Sequence, residues 1–251
     1  MEEKQATVTQ GHIPYLVAGS GPTIVFLHGG VATPYAYIPL LEALAPQYTV
    51  IAPTHPGHGK SFPISNEWTL SEFVSVYHEF FQSTGVQPDF LVGHSFGGTL
   101  ALLLAAAGKG KGAVAMDCPG LPFPFSPSEY INIMLEEAKD VVRHNPDIHH
   151  VGQIVGAAGT LVETIIQHHD DIPWLYRTVP VMNIQHELLR IRIPVSVLWG
   201  EQDKIIPKDV GERMSKLIAG SAITVFPDRG HNYPVTAHDF TATELRKILV
   251  Q

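Results

Sequence analysis

A five-residue segment near the middle of the chain, Gly-His-Ser-Phe-Gly at 93–97, constrains the fold more than any other. The apolar run Phe90–Val92 precedes it and predicts a buried strand, while the Ala- and Leu-rich run Phe96–Ala107 predicts a helix. Glycines two positions before and after Ser95 let neighbouring backbone approach closely, so that the chain can turn sharply. The pattern therefore predicts a strand, a tight turn with an outward serine, and a helix.

The rest of the chain repeats this alternation of strands and helices. Short apolar or β-branched runs predict six buried strands: Ile24–Leu27, Tyr48–Ala52, Phe90–Val92, Ala113–Met116, Val195–Trp199 and Ile223–Phe226. Segments of helical length lie between or after them: Ile38–Leu44, Leu70–Ser83, Phe96–Ala107, Lys208–Ile218 and Ala237–Leu249. Such alternation predicts an α/β fold with a mostly parallel sheet flanked by helices. Before it, Thr7–Gln10 and Ile13–Val17 predict an antiparallel hairpin with its turn at Gly11-His12.

The alternation stops between about Pro119 and Arg192. Four prolines open this segment, and three helical patterns follow them: Ser128–Arg143, His149–His168 and Ile172–Leu189. Pro194 then precedes the next buried strand. We expect a core domain formed by residues 1–118 and 193–251, with residues 119–192 inserted as a helical cap, or lid.

Composition and charge exclude several classes of protein. The 251 residues are 45% hydrophobic, which is enough for a sizeable core, and 16 basic against 24 acidic residues give a net charge of −8. Because the longest basic cluster is Lys109-Gly110-Lys111, nucleic acid is not expected as a partner. The one cysteine, Cys118, excludes an internal disulfide and a Cys-rich zinc site.

Other short patterns do not reach the requirements of a membrane span or a cofactor site. The beginning of the chain is polar and the longest strictly apolar run is Leu100–Ala107, so we expect no membrane span and a cytoplasmic location. The paired histidines at 149–150 and 168–169 lack the spacing of a metal-binding H-E-x-x-H helix. No G-x-G-x-x-G segment occurs, and we expect neither metal nor cofactor.

Three side chains after predicted strands are candidates for nucleophilic catalysis. Serine needs a base to take its proton, and His231 follows the last predicted strand. A base of this kind needs a carboxylate partner, and Asp203 follows Val195–Trp199. Asp117, at the end of another parallel strand, is a rival for that role. We favour a triad of Ser95, Asp203 and His231.

Acyl transfer also needs amide donors for the negative oxygen of the intermediate. His28-Gly29-Gly30 follows a predicted strand directly, and the amide of Gly30 can act together with that of Phe96. We expect Gly29 and three apolar side chains of the cap to contact the substrate: Phe125, Met134 and Trp174. The apolar cap favours an apolar or aromatic substrate.

Together, residues 28–30, 53–61, 93–98, 200–203 and 230–231 resemble the α/β-hydrolase superfamily. The likeness is greatest to its capped branch of esterases, C–C hydrolases, epoxide hydrolases and dehalogenases. The resemblance implies cofactor-free hydrolysis with Ser95, Asp203 and His231 as nucleophile, acid and base. Serine at 95 argues against epoxide hydrolases and dehalogenases, which use aspartate there, and Val31-Ala32 after the glycines is unlike proline iminopeptidases. Thr54 replaces a common aspartate outside the triad.

The sequence therefore predicts a serine hydrolase, most simply a carboxylesterase that cleaves small to medium apolar esters through an acyl-enzyme. A C–C bond hydrolase with the same triad is the nearest alternative. A ligand-binding sensor with slow turnover is a second, and a perhydrolase-like side activity on the same site is also open. The expected partner is a small-molecule ester, and the chain is expected to be a monomer or a homodimer.

Overall fold

The computed structural model describes residues 1–124, 174 and 177–249. Its sheet has eight strands in the spatial order β1-β2-β4-β3-β5-β6-β7-β8. The strands are β1 Glu2–Val8, β2 Gly11–Ala18, β3 Thr23–Leu27, β4 Thr49–Pro53, β5 Phe90–His94, β6 Gly112–Met116, β7 Val195–Gly200 and β8 Ala222–Phe226. The β1–β2 and β2–β4 pairs are antiparallel, and all other neighbouring strands are parallel.

Helices cover both faces of this sheet. In the described residues they are α1 Ile38–Leu44, α2 Leu70–Thr84, α3 Phe96–Ala106, α4 Gln185–Leu188, α5 Lys208–Leu217, α6 Tyr233–Thr236 and α7 His238–Leu249. Side chains of α2, α3 and α5 form one apolar cluster with the sheet, and those of α1 and α7 form the other. This layered arrangement confirms the predicted α/β-hydrolase fold class.

Helix α2 shows how local sequence sets the limits of an element. The Thr69 side chain accepts from the amide of Ser71, and the Glu72 carboxylate accepts from the amide of Thr69, so both ends of a capping box are formed. The helix buries five apolar positions at helical spacing: Phe73, Val76, Tyr77, Phe80 and Phe81. It ends at Gly85, whose φ of 71° is readily adopted by glycine.

The opening hairpin differs from the prediction in its turn. The turn lies at Thr9-Gln10, and Gly11 pairs with Val8 inside the ladder. Glycine at 11 has a different role, because a Cβ there would lie 2.9 Å from the Cβ of Phe62. Glycine at 11 therefore allows a close approach of strand and loop, and the prediction of a turn there was wrong.

The predicted helix Ile172–Leu189 is interrupted in its described part. A 3₁₀ helix covers Val179–Val181 and α4 begins only at Gln185. Pro180 explains the break, since proline has no amide to donate and its ring clashes with the preceding helical turn. The predicted helices Ser128–Arg143 and His149–His168 lie outside the described residues. A cap over 119–192 therefore remains a prediction, although β6 and β7, which flank it in sequence, are neighbours in the sheet.

In the part of the chain that the structure describes, no helix is both long enough and apolar enough to cross a bilayer.

Candidate active site

The segment 93–97, called the elbow below, forms the sharp turn between β5 and α3. Ser95 has φ 51° and ψ −127°, a conformation that costs energy for a residue with a side chain. A Cβ on Gly93 would lie 2.1 Å from the carbonyl oxygen of Gly97, and one on Gly97 would lie 2.1 Å from that of Leu27. The elbow therefore requires glycine at both positions, and it leaves the Ser95 side chain only partly buried among buried neighbours.

Strand order brings the candidate groups to one edge of the sheet. The loops after the parallel strands β3, β5, β6, β7 and β8 all leave at the carboxyl edge, where ligands bind in open α/β sheets. The loop after β3, residues 28–31, is called the oxyanion loop. It touches the elbow, because a Cβ on Gly29 would lie 3.4 Å from the Cβ of Ser95.

His231 and Asp203 form a buried pair. Nδ1 of His231 lies 2.8 Å from Oδ2 of Asp203, so the imidazole donates to the carboxylate and carries its proton on Nδ1. The other carboxylate oxygen accepts from the amides of Ile205 at 2.7 Å and Ile206 at 2.9 Å. These bonds fix the carboxylate and the tautomer of the ring, which leaves Nε2 as the nitrogen that can take a proton.

Asp117 lies beside this pair. It is fully buried, with φ 45°, and its Oδ1 accepts from the amide of Gly200 at 2.8 Å. Burial, and then the nearby carboxylate of Asp203, raises the pKa of Asp117 well above its ordinary value. A neutral carboxylic acid at Asp117 is the form that can be buried next to a charged Asp203.

One donor atom from each of Asp117, Asp203 and His231 lies within 4.8 Å of the others. This is close enough for a shared cation, and it is the one such group among the residues described here. Within this group, Nδ1 of His231 and Oδ2 of Asp203 are hydrogen-bonded to each other.

The oxyanion loop has two of its amides in use. The amide of Gly29 donates to Oη of Tyr37 at 3.1 Å, and that of Val31 donates to Nε2 of His58 at 3.1 Å. The amide of Gly30 lies between these two amides and takes part in neither bond. Phe96 is the first residue of α3, where helical amides have no partner within the helix. The two predicted donors, the amides of Gly30 and Phe96, thus lie on the oxyanion loop and on the elbow, which touch each other.

Comparison with known proteins agrees with this arrangement. A model of the alpha/beta hydrolase family matches residues 24–244. The chain belongs to the alpha/beta hydrolase family.

The relatives of this alpha/beta hydrolase are distant. It is 29% identical over 249 residues to the dihydrolipoyllysine-residue acetyltransferase component of an acetoin cleaving system from Cupriavidus necator, covering 89% of this chain but only 63% of that protein. It is 26% identical to a 2-hydroxy-6-oxononadienedioate/2-hydroxy-6-oxononatrienedioate hydrolase from Paraburkholderia phymatum, covering 89% and 85% of the two chains. The crystal structure of a bromoperoxidase from Bacillus anthracis superposes with a TM-score of 0.82 at 18% identity, covering all of both chains.

Three buried histidines support the oxyanion loop of this hydrolase. The amide of His55 donates to Nε2 of His28, so His28 carries its proton on Nδ1 and donates to the carbonyl of Gly29. Nε2 of His55 donates to the carbonyl of His28, and its Nδ1 accepts from the hydroxyl of Tyr77. His58 accepts through Nε2 and donates through Nδ1 to a backbone carbonyl. Burial, followed by neighbouring histidines, lowers the pKa values of His28 and His55 well below their ordinary range.

Sequence reasoning missed this support. Its signal was available in the histidines after two strands that prove to be neighbours, His28 after β3 and both His55 and His58 after β4. In the sequence analysis these three histidines stand inside segments quoted for other reasons, and no supporting role is predicted for them.

Of the predicted substrate contacts, the structure describes two. Gly29 is buried against the elbow. Trp174 is 3% exposed, its Nε1 donates to the carbonyl of Trp68, and its ring lies 5.8 Å from that of Phe96. It therefore packs on the side chain of the residue whose amide is a predicted donor. Phe125 and Met134 lie outside the described residues.

Proposed function

We propose that this chain is a cofactor-free serine hydrolase, most simply a carboxylesterase for small to medium apolar esters, with Ser95, His231 and Asp203 as its triad. The observation that supports it most is the 2.8 Å bond from His231 to Asp203, at the same edge of the sheet as the elbow. That bond sets the tautomer that a base for Ser95 requires.

In this proposal the reaction has two acyl-transfer steps. Oγ of Ser95 attacks the ester carbonyl while its proton passes to Nε2 of His231, and the amides of Gly30 and Phe96 stabilise the negative oxygen. The intermediate then collapses to an acyl-enzyme, and the leaving alcohol takes the proton from His231. Water attacks the acyl group with His231 again as base, which releases the acid and restores Ser95. Asp203 stabilises the imidazolium each time it forms.

The preference for an apolar substrate is supported by the aromatic surroundings of the elbow. The rings of Phe73, Phe96 and Trp174 lie 5.2 to 5.8 Å from one another. A water-excluding apolar wall binds apolar acyl or alcohol groups and strengthens the electrostatic interactions of the intermediate. In the proposal a helical cap over 119–192 completes the enclosure.

A C–C bond hydrolase with the same triad is the second candidate. It is favoured by the relative named for a 2-hydroxy-6-oxononadienedioate substrate. Such a substrate carries carboxylates, so a preference for it would contradict the proposed apolar preference.

The first prediction concerns the nucleophile. A fluorophosphonate probe should label the wild-type protein at Ser95, located by mass spectrometry of the labelled peptide. In Ser95→Ala the hydrolysis of p-nitrophenyl esters should fall by about 10³-fold or more, because the covalent intermediate cannot form. The control is Ser71→Ala, an exposed serine of α2, which should retain full activity.

The outcomes separate the candidate functions. Faster turnover of a dienone substrate than of every ester would select the C–C hydrolase. Labelling at Ser95 without turnover of either substrate class would select the slow ligand-binding sensor. Retained ester hydrolysis in Ser95→Ala would refute the assignment of the nucleophile.

A further inference from the structure

A buried chain of hydrogen bonds connects the oxyanion loop to His231 through the residue that precedes the proposed nucleophile. The amide of Gly29 donates to Oη of Tyr37 at 3.1 Å, and Oη of Tyr37 lies 2.7 Å from Nδ1 of His94. Nε2 of His94 lies 2.9 Å from the backbone carbonyl oxygen of His231. Tyr37 and His94 are each 2% exposed. We call these three bonds the relay.

Only one arrangement of protons satisfies every atom of the relay. The carbonyl of His231 can only accept, so His94 must carry its proton on Nε2. Nδ1 of His94 is then an acceptor, and the hydroxyl of Tyr37 must donate to it. The oxygen of Tyr37 still has a lone pair for the amide of Gly29. Since leaving a buried polar group without a partner is unfavourable, each bond supports this tautomer.

We propose that His94 and Tyr37 are positioning residues: His94 holds the backbone carbonyl of His231, the proposed base, and Tyr37 holds the oxyanion loop through the amide of Gly29. This inference rests on the proposed function. His231 is held at its ring by Asp203 and at its carbonyl by His94, so that both the direction and the position of the imidazole are set. At the other end of the relay, Tyr37 occupies the amide of Gly29, which leaves that of Gly30 for substrate.

A neutral ring at His94 is also what turnover requires. The ring centroids of His94 and His231 are 4.8 Å apart, and His231 becomes a cation in each half of the proposed reaction. Burial, followed by the charge of His231, lowers the pKa of His94 well below its usual range. The relay therefore orients the base without placing a second positive charge beside it.

Amide substitutions at 94 test the two ends of the relay separately. Glutamine places an N–H near the position of Nε2 and can keep the bond to His231, whereas asparagine reaches only the position of Nδ1 and keeps the bond to Tyr37. We expect kcat to fall about 10- to 100-fold in His94→Asn and in Tyr37→Phe, since a misplacement of 1 Å can cost about 10²-fold. In His94→Gln, kcat should stay within about threefold of the wild-type value. In all three variants KM should change by less than about threefold.

The control for Tyr37→Phe is Tyr48→Phe. Tyr48 is a buried tyrosine of the same apolar cluster and takes no part in the relay, so kcat should be unchanged. Rates are expressed per site titrated with fluorophosphonate, which removes any misfolded fraction. Equal loss of kcat in His94→Gln and His94→Asn, or none in either, would overturn the proposal.

A second measurement does not depend on activity. In protein with ¹⁵N-labelled histidine, NMR should show His94 protonated on Nε2 and His231 protonated on Nδ1. The His231 Nδ1 proton signal should persist in His94→Gln and broaden or disappear in His94→Asn. An Nδ1-protonated His94, or an unchanged His231 signal in His94→Asn, would refute the relay. The wild-type protein could show the expected NMR signals and yet neither react with the fluorophosphonate nor hydrolyse any substrate. That result would refute the proposed function, but it would leave the relay in place.

Discussion

At the scale of single residues, the site contains two buried carboxylates that serve one imidazole. Asp203 accepts from His231 and from two backbone amides. Asp117 accepts from one amide, and burial, followed by the carboxylate of Asp203, raises its pKa well above the ordinary value. Of the two carboxylates, Asp203 is therefore the one suited to stabilise a charge on the imidazole that it contacts.

Exchange of each carboxylate for its amide tests this assignment. In Asp203→Asn the amide cannot stabilise an imidazolium and favours the wrong tautomer, so kcat should fall by about 10⁴-fold. In Asp117→Asn the loss should stay below about tenfold, because asparagine resembles the neutral acid and its oxygen can still accept from Gly200. Steady-state ester hydrolysis measures both. Since each variant is the control for the other, a larger loss in Asp117→Asn would move the acid role to Asp117.

Ser95, Asp203 and His231 could be selected as candidates from the sequence because each lies on a loop a few residues after a predicted strand. The relay could not be predicted. Tyr37 and His94 are 57 positions apart, and His94 and the carbonyl of His231 are 137 apart. Neither residue type nor spacing indicates these contacts. They arise when β3, β5 and β8 end at one edge of the sheet, which brings the three loops together.

At the scale of elements, the elbow and the end of α2 show two different reasons for glycine. Gly97 has an ordinary helical conformation, but a side chain there would meet the carbonyls of Leu27 and His28 within 2.4 Å. Gly85 has φ 71° with nothing within 4 Å of an added Cβ. The first glycine is required for contact between α3 and β3, and the second only for its backbone angle.

Alanine substitutions should therefore differ in cost. Gly97→Ala should lower the free energy of unfolding by about 3 kcal/mol or more, because rigid backbone cannot move away from the new methyl group. Gly85→Ala should cost only about 1–2 kcal/mol, the penalty of a left-handed conformation. Urea unfolding followed by circular dichroism measures both. Equal costs would mean that the contact of α3 with β3 does not determine the stability of the elbow.

Elements with a clear periodicity were predicted well. Helix α2 was predicted as Leu70–Ser83 and is observed as Leu70–Thr84, because its apolar face and its cap are both local in sequence. The turn at Gly11 and the helix over Ile172–Leu189 were wrong. At Gly11 the glycine serves the close approach of Phe62 rather than a turn, and at Pro180 the missing amide outweighed the apolar periodicity.

At the scale of the whole molecule, strand order rather than any local motif places the site. The alternation of elements predicts a parallel sheet, but it does not specify that β3 lies between β4 and β5. That order places the oxyanion loop between the elbow on one side and the two histidines after β4 on the other. It also concentrates neutral, buried histidines at one edge, which makes the stability of the fold dependent on pH.

The direction of that dependence follows from the pKa shifts. Burial lowers the pKa values of His28, His55 and His94 in the folded state, whereas in the unfolded chain each takes a proton below about pH 6.5. Above that pH these histidines therefore do not reduce the free energy of unfolding. As the pH falls below it, protonation of the unfolded chain lowers the free energy of unfolding. Asp117 acts in the opposite sense, since the folded state keeps a proton that the unfolded chain releases above about pH 4.

The four groups together give the last prediction. Because three lowered histidine pKa values outnumber one raised carboxyl pKa, the unfolded state should bind more protons than the folded state just below about pH 6.5, and the free energy of unfolding should fall as the pH falls. Urea unfolding at a series of pH values measures this slope. His55→Gln should make this slope shallower, because it removes one of the buried histidines, whereas His186→Gln, at an exposed histidine of α4, is the matched control and should leave it unchanged. A flat profile across this range would show that these histidines are protonated in the folded protein, in conflict with the hydrogen bonds that hold the oxyanion loop.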